Sequence, residues 1–248
     1  MPLHAHMQPV CYRGIAEAWT AERVMAGGET HSSLSPLGWK RLRPSAMIVN
    51  DVHTHDHDRG GAIIDLAPEL QPEEGKLYSV GVHPWDTSSP HLEELFKRVK
   101  EQATHPSVVA IGETGIDKLS GASTDIQTEI LLRHIDLSER YNLPLILHVV
   151  RAFPEIIALK KRINPRQPWI IHGFRGKPQL ARELLRHGFY LSLGKKFNPD
   201  SAAIIPSDRL LIETDEDSSD PSEIAVRLPQ YDPTLPDSLF IKDSRQHP

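Results

Sequence analysis

The sequence predicts an α/β protein: a (β/α)8 TIM barrel of abbreviated form, with a non-barrel N-terminal leader and an atypical C-terminal tail. Three observations carry this expectation. From Met47 onward, short apolar runs alternate with amphipathic stretches, the pattern of parallel strands joined by helical crossovers. Eight such runs can be read, most of them consecutive Ile, Val and Leu, as strands buried on both faces require. Five of the runs end in His, Glu or Asp, and the strand C-termini are where such barrels gather their reactive groups.

In chain order, residues 1–46 read as an irregular leader. They contain Gly27-Gly28, Ser35-Pro36 and Arg43-Pro44 and keep no period of 2 or 3.6. Strands are expected at 48–53, 62–66, 77–82, 108–113, 145–149, 169–172, 189–193 and 210–214. Helices are expected at 90–103, 124–141, 152–163 and 177–187. The second of these carries Ile130, Leu131, His134, Ile135 and Leu137 at helical spacing. The fourth opens on Lys177-Pro178, with proline in the first turn, where its missing N–H costs nothing. The link from His53 to Ala62 is too short for a crossover helix, and beyond Asp215 the chain turns Asp/Ser/Pro-rich. The barrel is therefore expected over 47–224, with an atypical tail at 225–248 that shows no closing helix.

Composition removes several classes of function. With 39% hydrophobic and 25% charged residues, the chain has the usage of a globular protein rather than a disordered one. No run reaches the ~18 apolar residues of a membrane span. The N-terminus lacks the basic flank and apolar segment of a secretory signal. Cys11 is the single cysteine, which excludes an internal disulfide and a thiolate metal cage and fits a cytoplasmic setting. A net charge of −5 argues against a protein that coats nucleic acid. Residues 133–196 nevertheless hold 13 Lys/Arg against 4 Asp/Glu, and local sign is what steers a ligand.

The strand ends carry the chemistry. The first reads Asp51-Val52-His53-Thr54-His55, and residues i and i+2 of a strand share a face, so two imidazoles converge. Glu113 closes the fourth run in Ile111-Gly112-Glu113-Thr114-Gly115. His148 closes the fifth, His172 the sixth, and Glu213-Thr214-Asp215 the eighth. Burying so many ionisable groups together is costly unless a cation compensates. Six ligands, His53, His55, Glu113, His148, His172 and Asp215, exceed one tetrahedral zinc and match two divalent ions with a bridging carboxylate. Imidazole with carboxylate suits Zn²⁺, Mn²⁺, Fe²⁺ or Co²⁺, and Mg²⁺ where phosphate and water complete the shell. Asp56, His57 and Asp58 read as a solvated loop.

Other residues are placed for support. His83, in Gly81-Val82-His83-Pro84-Trp85, ends the third strand and is expected to touch a phosphate or leaving group. Arg175 and Lys177 precede a helix N-terminus, a setting that suits phosphate, and Lys195-Lys196 would extend the positive rim. Lys160-Lys161-Arg162 reads as a solvated helix end complementing the dipole. Glu213 is expected to orient a ligand and Asp117 to brace the loop after strand four. Trp85 and Phe197 are open to two readings, base stacking or packing under a loop.

The segments DVHTH (51–55), GVHPW (81–85), IGETGID (111–117), PLILH (144–148), IHGFRG (171–176) and LIETD (211–215) together resemble the TatD family of metal-dependent hydrolases, within the amidohydrolase-like TIM barrels. They run in the family's order over most of 47–217. The resemblance implies a metal-dependent hydrolase of ester bonds, a deoxyribonuclease of 3′-exonuclease type. It implies that His53, His55 and Asp215 hold one metal, His148 and His172 the other, and that Glu113 bridges them. Asp215, Glu113 and His83 then form the catalytic group, and His83 a substrate contact. Arg175 and Lys177 are expected as further substrate contacts from their own placement, with a solvated loop as the alternative, since many family members have a small polar residue where Arg175 stands. The implied partner is DNA or another phosphoester, single-stranded; no protein or membrane partner is expected. Residues 1–46 are surplus to the family pattern, the link after His55 is short, and the family's closing helix and Asn…Leu-Phe segment have no counterpart in 224–248. Two alternatives stay open: an amidohydrolase or aminoacyl-RNA deacylase on the same scaffold, and a catalytically inert metal-binding paralogue.

Overall fold

The structure, a computed structural model, describes residues 48–241. The expected leader and the last residues of the tail lie outside the described residues. Eight strands form one sheet in sequence order: β1 Asp51–Thr54, β2 Ala62–Leu66, β3 Leu77–Val80, β4 Val108–Asp117, β5 Leu145–Val150, β6 Trp169–Ile171, β7 Tyr190–Leu193 and β8 Leu210–Ile212. Every neighbouring pair from β1 to β8 is parallel. The sheet closes on itself through a parallel bridge between Thr54 and Asp215. Across this seam Asp215 N donates to His53 O at 2.9 Å and His55 N to Asp215 O at 3.1 Å. The architecture is a TIM barrel.

The four long helices fall inside their expected spans: α1 Leu92–Gln102, α2 Thr124–Tyr141, α3 Phe153–Ile163 and α4 Pro178–Arg186. Helix α2 starts on Ser123, whose hydroxyl accepts from Ile126 N, and stops at Asn142 in the left-handed conformation. Its stripe of Ile130, Leu131, Ile135 and Leu137 is buried. His134 is buried with it and makes two hydrogen bonds, accepting from Val82 N at 3.0 Å and meeting Ile130 O at 2.7 Å. Asn164 ends α3 in the same left-handed way. Among the described residues no helix is long and apolar enough to cross a membrane.

Strand β4 runs on to Asp117 rather than ending at Glu113. Ile111 pairs with Leu145 and Thr114 with Leu147, so three steps of β4 oppose two of β5. This is a bulge, and it takes in Gly112 and Glu113. Gly112 and Gly115 permit it: both have positive φ, and a Cβ on either would collide with the carbonyl of Ile146 or His148.

The short link between β1 and β2 holds no helix, as expected, but Arg59 within it straps the barrel mouth. Its guanidinium donates to Ser219 O at 3.0 Å and Asp217 O at 3.5 Å, and its Nε lies 3.6 Å from Asp51. The tail differs from expectation. Beyond the short helices α5 Pro199–Ala202 and α6 Pro221–Ala225, a further helix α7 forms at Leu235–Phe240. Leu239 and Phe240 join a core cluster with Val49, Ile63, Ala110, Ile146 and Leu211, and Asp237 accepts from Val49 N at 2.9 Å. Six residues with a proline in the first turn are too few for a helical period to show. Burial of two large apolar side chains, worth about 1.5–3 kcal/mol each, holds the segment in place. Lys160 also departs from the solvated helix end expected of it. Its ammonium lies 4.7 Å from the Phe189 ring centre and 5.2 Å from that of Trp169, and burial pushes its pKa down to about 8.

Candidate metal centre

The β4 bulge aims Glu113 into the barrel mouth, where its carboxylate is only 3% exposed. Its two oxygens face different imidazoles. Oε1 lies 2.6 Å from His148 Nδ1, 2.7 Å from His172 Nε2 and 3.3 Å from His83 Nε2. Oε2 lies 3.2 Å from His53 Nε2 and 3.8 Å from His55 Nε2. Asp215 joins the second set, its Oδ1 being 3.5 Å from His55 Nε2 and 3.8 Å from His53 Nε2. The seam hydrogen bonds hold Asp215 at φ 58, a left-handed conformation uncommon outside glycine. Among the described residues, three groups of side chains converge closely enough to hold an ion: His53, His172 and Asp215; His53, His55 and Glu113; His83, Glu113 and His148.

Three of the histidines are backed by a carboxylate on the side away from Glu113. His148 Nε2 lies 3.3 Å from Asp117, His172 Nδ1 3.5 Å from Glu213, and His55 Nδ1 3.7 Å from Asp65. Such carboxylate–histidine pairs fix the tautomer and leave the opposite nitrogen free to bind a cation. The supporting carboxylates are themselves held. Asp65 accepts from Glu113 N at 2.9 Å and from Ser79 Oγ at 3.4 Å. Glu213 accepts from Gly173 N. Asp117 accepts from Trp85 Nε1 at 2.7 Å and from Leu119 N at 2.8 Å. Behind the first strand, the buried Asp51 accepts from Thr214 N at 3.0 Å and Thr214 Oγ1 at 2.6 Å, and burial pushes its pKa up to about 6.

The electrostatics describe a site built around positive charge. Burial acts to raise the Glu113 carboxyl, but His172, His53 and His148 around it hold it well below the usual carboxylate range. Burial and the neighbouring His172 oppose a charge on His53, yet Glu113 and Glu213 raise its pKa to about 9. Burial likewise opposes a charge on His172, and the same two glutamates lift it well above the ordinary value. Carboxylates that draw protons so strongly onto buried imidazoles would draw a divalent cation to the same nitrogens. The donor set of imidazole and carboxylate fits such an ion.

The six residues expected as ligands thus come together, and His83 sits against them, 3.3 Å from both Glu113 and His148. Arg175 and Lys177 are exposed on the segment between β6 and α4, away from any carboxylate within ion-pair distance among the described residues. Lys195 pairs with Asp217 at 3.7 Å and Glu223 at 3.8 Å, which takes it out of the free positive rim. Phe197 is buried beneath Arg227, whose guanidinium lies 4.3 Å from the ring centre, so of its two readings packing is the one observed. Sequence reasoning missed Asp65. Its only signal is one acid within the apolar strand Ala-Ile-Ile-Asp-Leu.

The chain is similar to known proteins. The TatD related DNase family matches residues 42–231. A metal-dependent hydrolase of Bacillus subtilis (strain 168), YabD, is 36% identical over 162 residues, covering 61% of this chain and 63% of its own length. A protein of Cronobacter turicensis named 3′-5′ ssDNA/RNA exonuclease TatD is 35% identical over 147 residues, covering 55% of this chain and 56% of its own. The chain therefore spans less than two thirds of these relatives. The crystal structure of YJJV, a TatD homologue from Escherichia coli K12, shares the fold with a TM-score of 0.60 at 21% identity, over 79% of this chain and 100% of that one. With a family match across well over half its length, the chain belongs to the TatD related DNase family.

Proposed function

We propose that the chain is a divalent-metal-dependent hydrolase of phosphoester bonds, acting as a deoxyribonuclease on single-stranded DNA from the 3′ end. The observation that carries this reading is the division of Glu113: His148 and His172 face one oxygen, His53 and His55 the other, with Asp215 beside the second pair. Two ions, Zn²⁺, Mg²⁺ or Mn²⁺, would be held by His53, His55 and Asp215 on one side and His148 and His172 on the other, with Glu113 shared. Bound there, such ions supply Lewis acidity toward water and phosphate.

The remaining roles belong to side chains. Asp215 is 29% exposed where Glu113 is almost fully enclosed, so Asp215 is the carboxylate within reach of an attacking water and takes its proton at Oδ1. His83 accepts from Trp85 N at Nδ1, which leaves its proton on Nε2, directed into the site toward a phosphate or leaving-group oxygen. Arg175 and Lys177, in the basic half of the chain, draw the phosphate backbone to the mouth. The Cronobacter relative's name supports a nucleic-acid substrate. The lone Cys11 fits a cytoplasmic setting.

The test pairs elemental analysis of purified protein with digestion of 3′-labelled single-stranded DNA, using His148→Ala as the control. Bound divalent metal and 3′ shortening that His148→Ala lacks are expected. A folded wild type that binds no metal and cleaves no strand would overturn the reading.

A further inference from the structure

One large aromatic side chain at the centre remains unused by this chemistry. Trp85 lies in a 3-10 turn, Pro84–Ser88, directly after His83. Its backbone N donates to His83 Nδ1 at 3.3 Å, and its indole N–H donates to Asp117 Oδ2 at 2.7 Å. The same Oδ2 lies 3.3 Å from His148 Nε2, so one carboxylate fixes both the indole and a candidate ligand. The residue is nevertheless 56% exposed. Its centre is 4.8 Å from that of His83 and 6.0 Å from that of His148, at interplanar angles of 90° and 76°, so neither imidazole lies flat against it. Trp169 makes the contrast: it is fully buried, with Phe189 and Lys160 against its ring.

An exposed indole alone would mean little. This one has its side-chain N–H engaged by the buried Asp117 and its ring beside two imidazoles of the site, while more than half of the residue stays exposed. Leu119, 61% exposed, is tied through its backbone N to the other oxygen of Asp117, which adds a second apolar group to the same part of the rim. The exposed cations Arg175, Lys177 and Lys196 follow β6 and β7 instead. A mouth with an oriented aromatic plane on one sector and free cations on another matches a ligand that joins a flat base to a phosphate.

We infer that Trp85 is the stacking platform for the nucleobase next to the scissile phosphoester, and that it makes the site prefer base-bearing ends over phosphoesters without an aromatic base. The inference rests on the hydrolase reading above. Base–aromatic stacking is sequence-tolerant, so no preference among the four bases is expected from this contact.

The test uses the metal-loaded protein and a single strand whose 3′-terminal base is 2-aminopurine, with a phosphorothioate at the terminal linkage to slow cleavage. Stacking on Trp85 should quench the 2-aminopurine fluorescence. Trp85→Phe should keep the quench, and Trp85→Ala should abolish it or weaken binding about tenfold or more. In turnover, the ratio of kcat/KM for base-bearing over abasic 3′ ends should fall about tenfold in Trp85→Ala, mostly through KM. An unquenched base on the wild type overturns the inference. So does a loss in Trp85→Ala shared equally by base-bearing and abasic ends, which would make Trp85 only a brace for Asp117. A wild type that quenches the base yet cleaves nothing would break the hydrolase reading and leave the stacking site standing.

Discussion

The backbone N–H of Asp215 donates to the carbonyl of His53 at 2.9 Å, and this bond is part of the barrel's closing seam. Two candidate ligands from opposite ends of the barrel sequence are therefore fixed relative to one another by backbone rather than by side-chain contacts. The left-handed conformation of Asp215 follows from the same bonds.

That geometry makes Asp215→Asn a clean test of proton transfer. Asparagine tolerates positive φ, so the seam should survive. Turnover should fall by about 10²–10⁴, the usual span for general base catalysis, at a pH where elemental analysis shows metal still bound. Retained activity would remove Asp215 from the role.

Asp65 supports the centre from β2, taking the Glu113 N–H and facing His55. Asp65→Ala leaves a buried donor unsatisfied and His55 unoriented. Metal affinity, read by chelator competition, should drop about 10–100-fold, as for other carboxylates that orient metal-binding histidines. Unchanged affinity would reduce Asp65 to a local hydrogen-bond acceptor.

His134 gives the fold a pH dependence. Burial is the main cause pushing its pKa down to about 4, from 6.5, and its ring N accepts from Val82 N, which requires the neutral form. The unfolded chain thus binds a proton that the folded chain refuses. The contribution is fully present above pH 6.5 and shrinks as pH falls, by a total of about 3 kcal/mol once pH reaches 4. Urea unfolding at pH 7 and pH 5 should show a steeper loss for wild type than for His134→Gln. Equal slopes would count against this assignment.

Phe240 tests the tail. It is buried among Val49, Ile63 and Ile146, so Phe240→Ala should cost about 3–5 kcal/mol by the cavity it leaves. A change below 1 kcal/mol in denaturant unfolding would mean that α7 adds little to the core.

Most of the barrel could be read from local patterns, because those patterns arise from local physics. Apolar runs such as Val108–Ile111 are buried throughout, and the α2 stripe from Ile130 to Leu137 repeats at helical spacing. The candidate ligands were legible for the same reason: each follows an apolar run in the sequence, although the strands that carry Glu113 and His148 continue past them. Lys160 was misread because its burial depends on Trp169 in β6 and Phe189 just before β7, which leave no mark beside it in the sequence. Helix α7 was missed because two core contacts, rather than a periodic pattern, stabilise it.

By itself, then, the sequence determined the strand order, the long helices, the family resemblance and the residue types at the barrel mouth. The tertiary structure decided how they meet. The split of the imidazoles between the two oxygens of Glu113 depends on a bulge between β4 and β5 and on closure of β1 against β8. The backing of His55 by Asp65 depends on the β1–β2 neighbourhood, and the fixing of Trp85 on Asp117 depends on the end of β4. Separations of 3.3 Å between His148 and Asp117 and 3.8 Å between His53 and Asp215 arise only when the chain is folded, because they are set by strand register and not by spacing along the sequence.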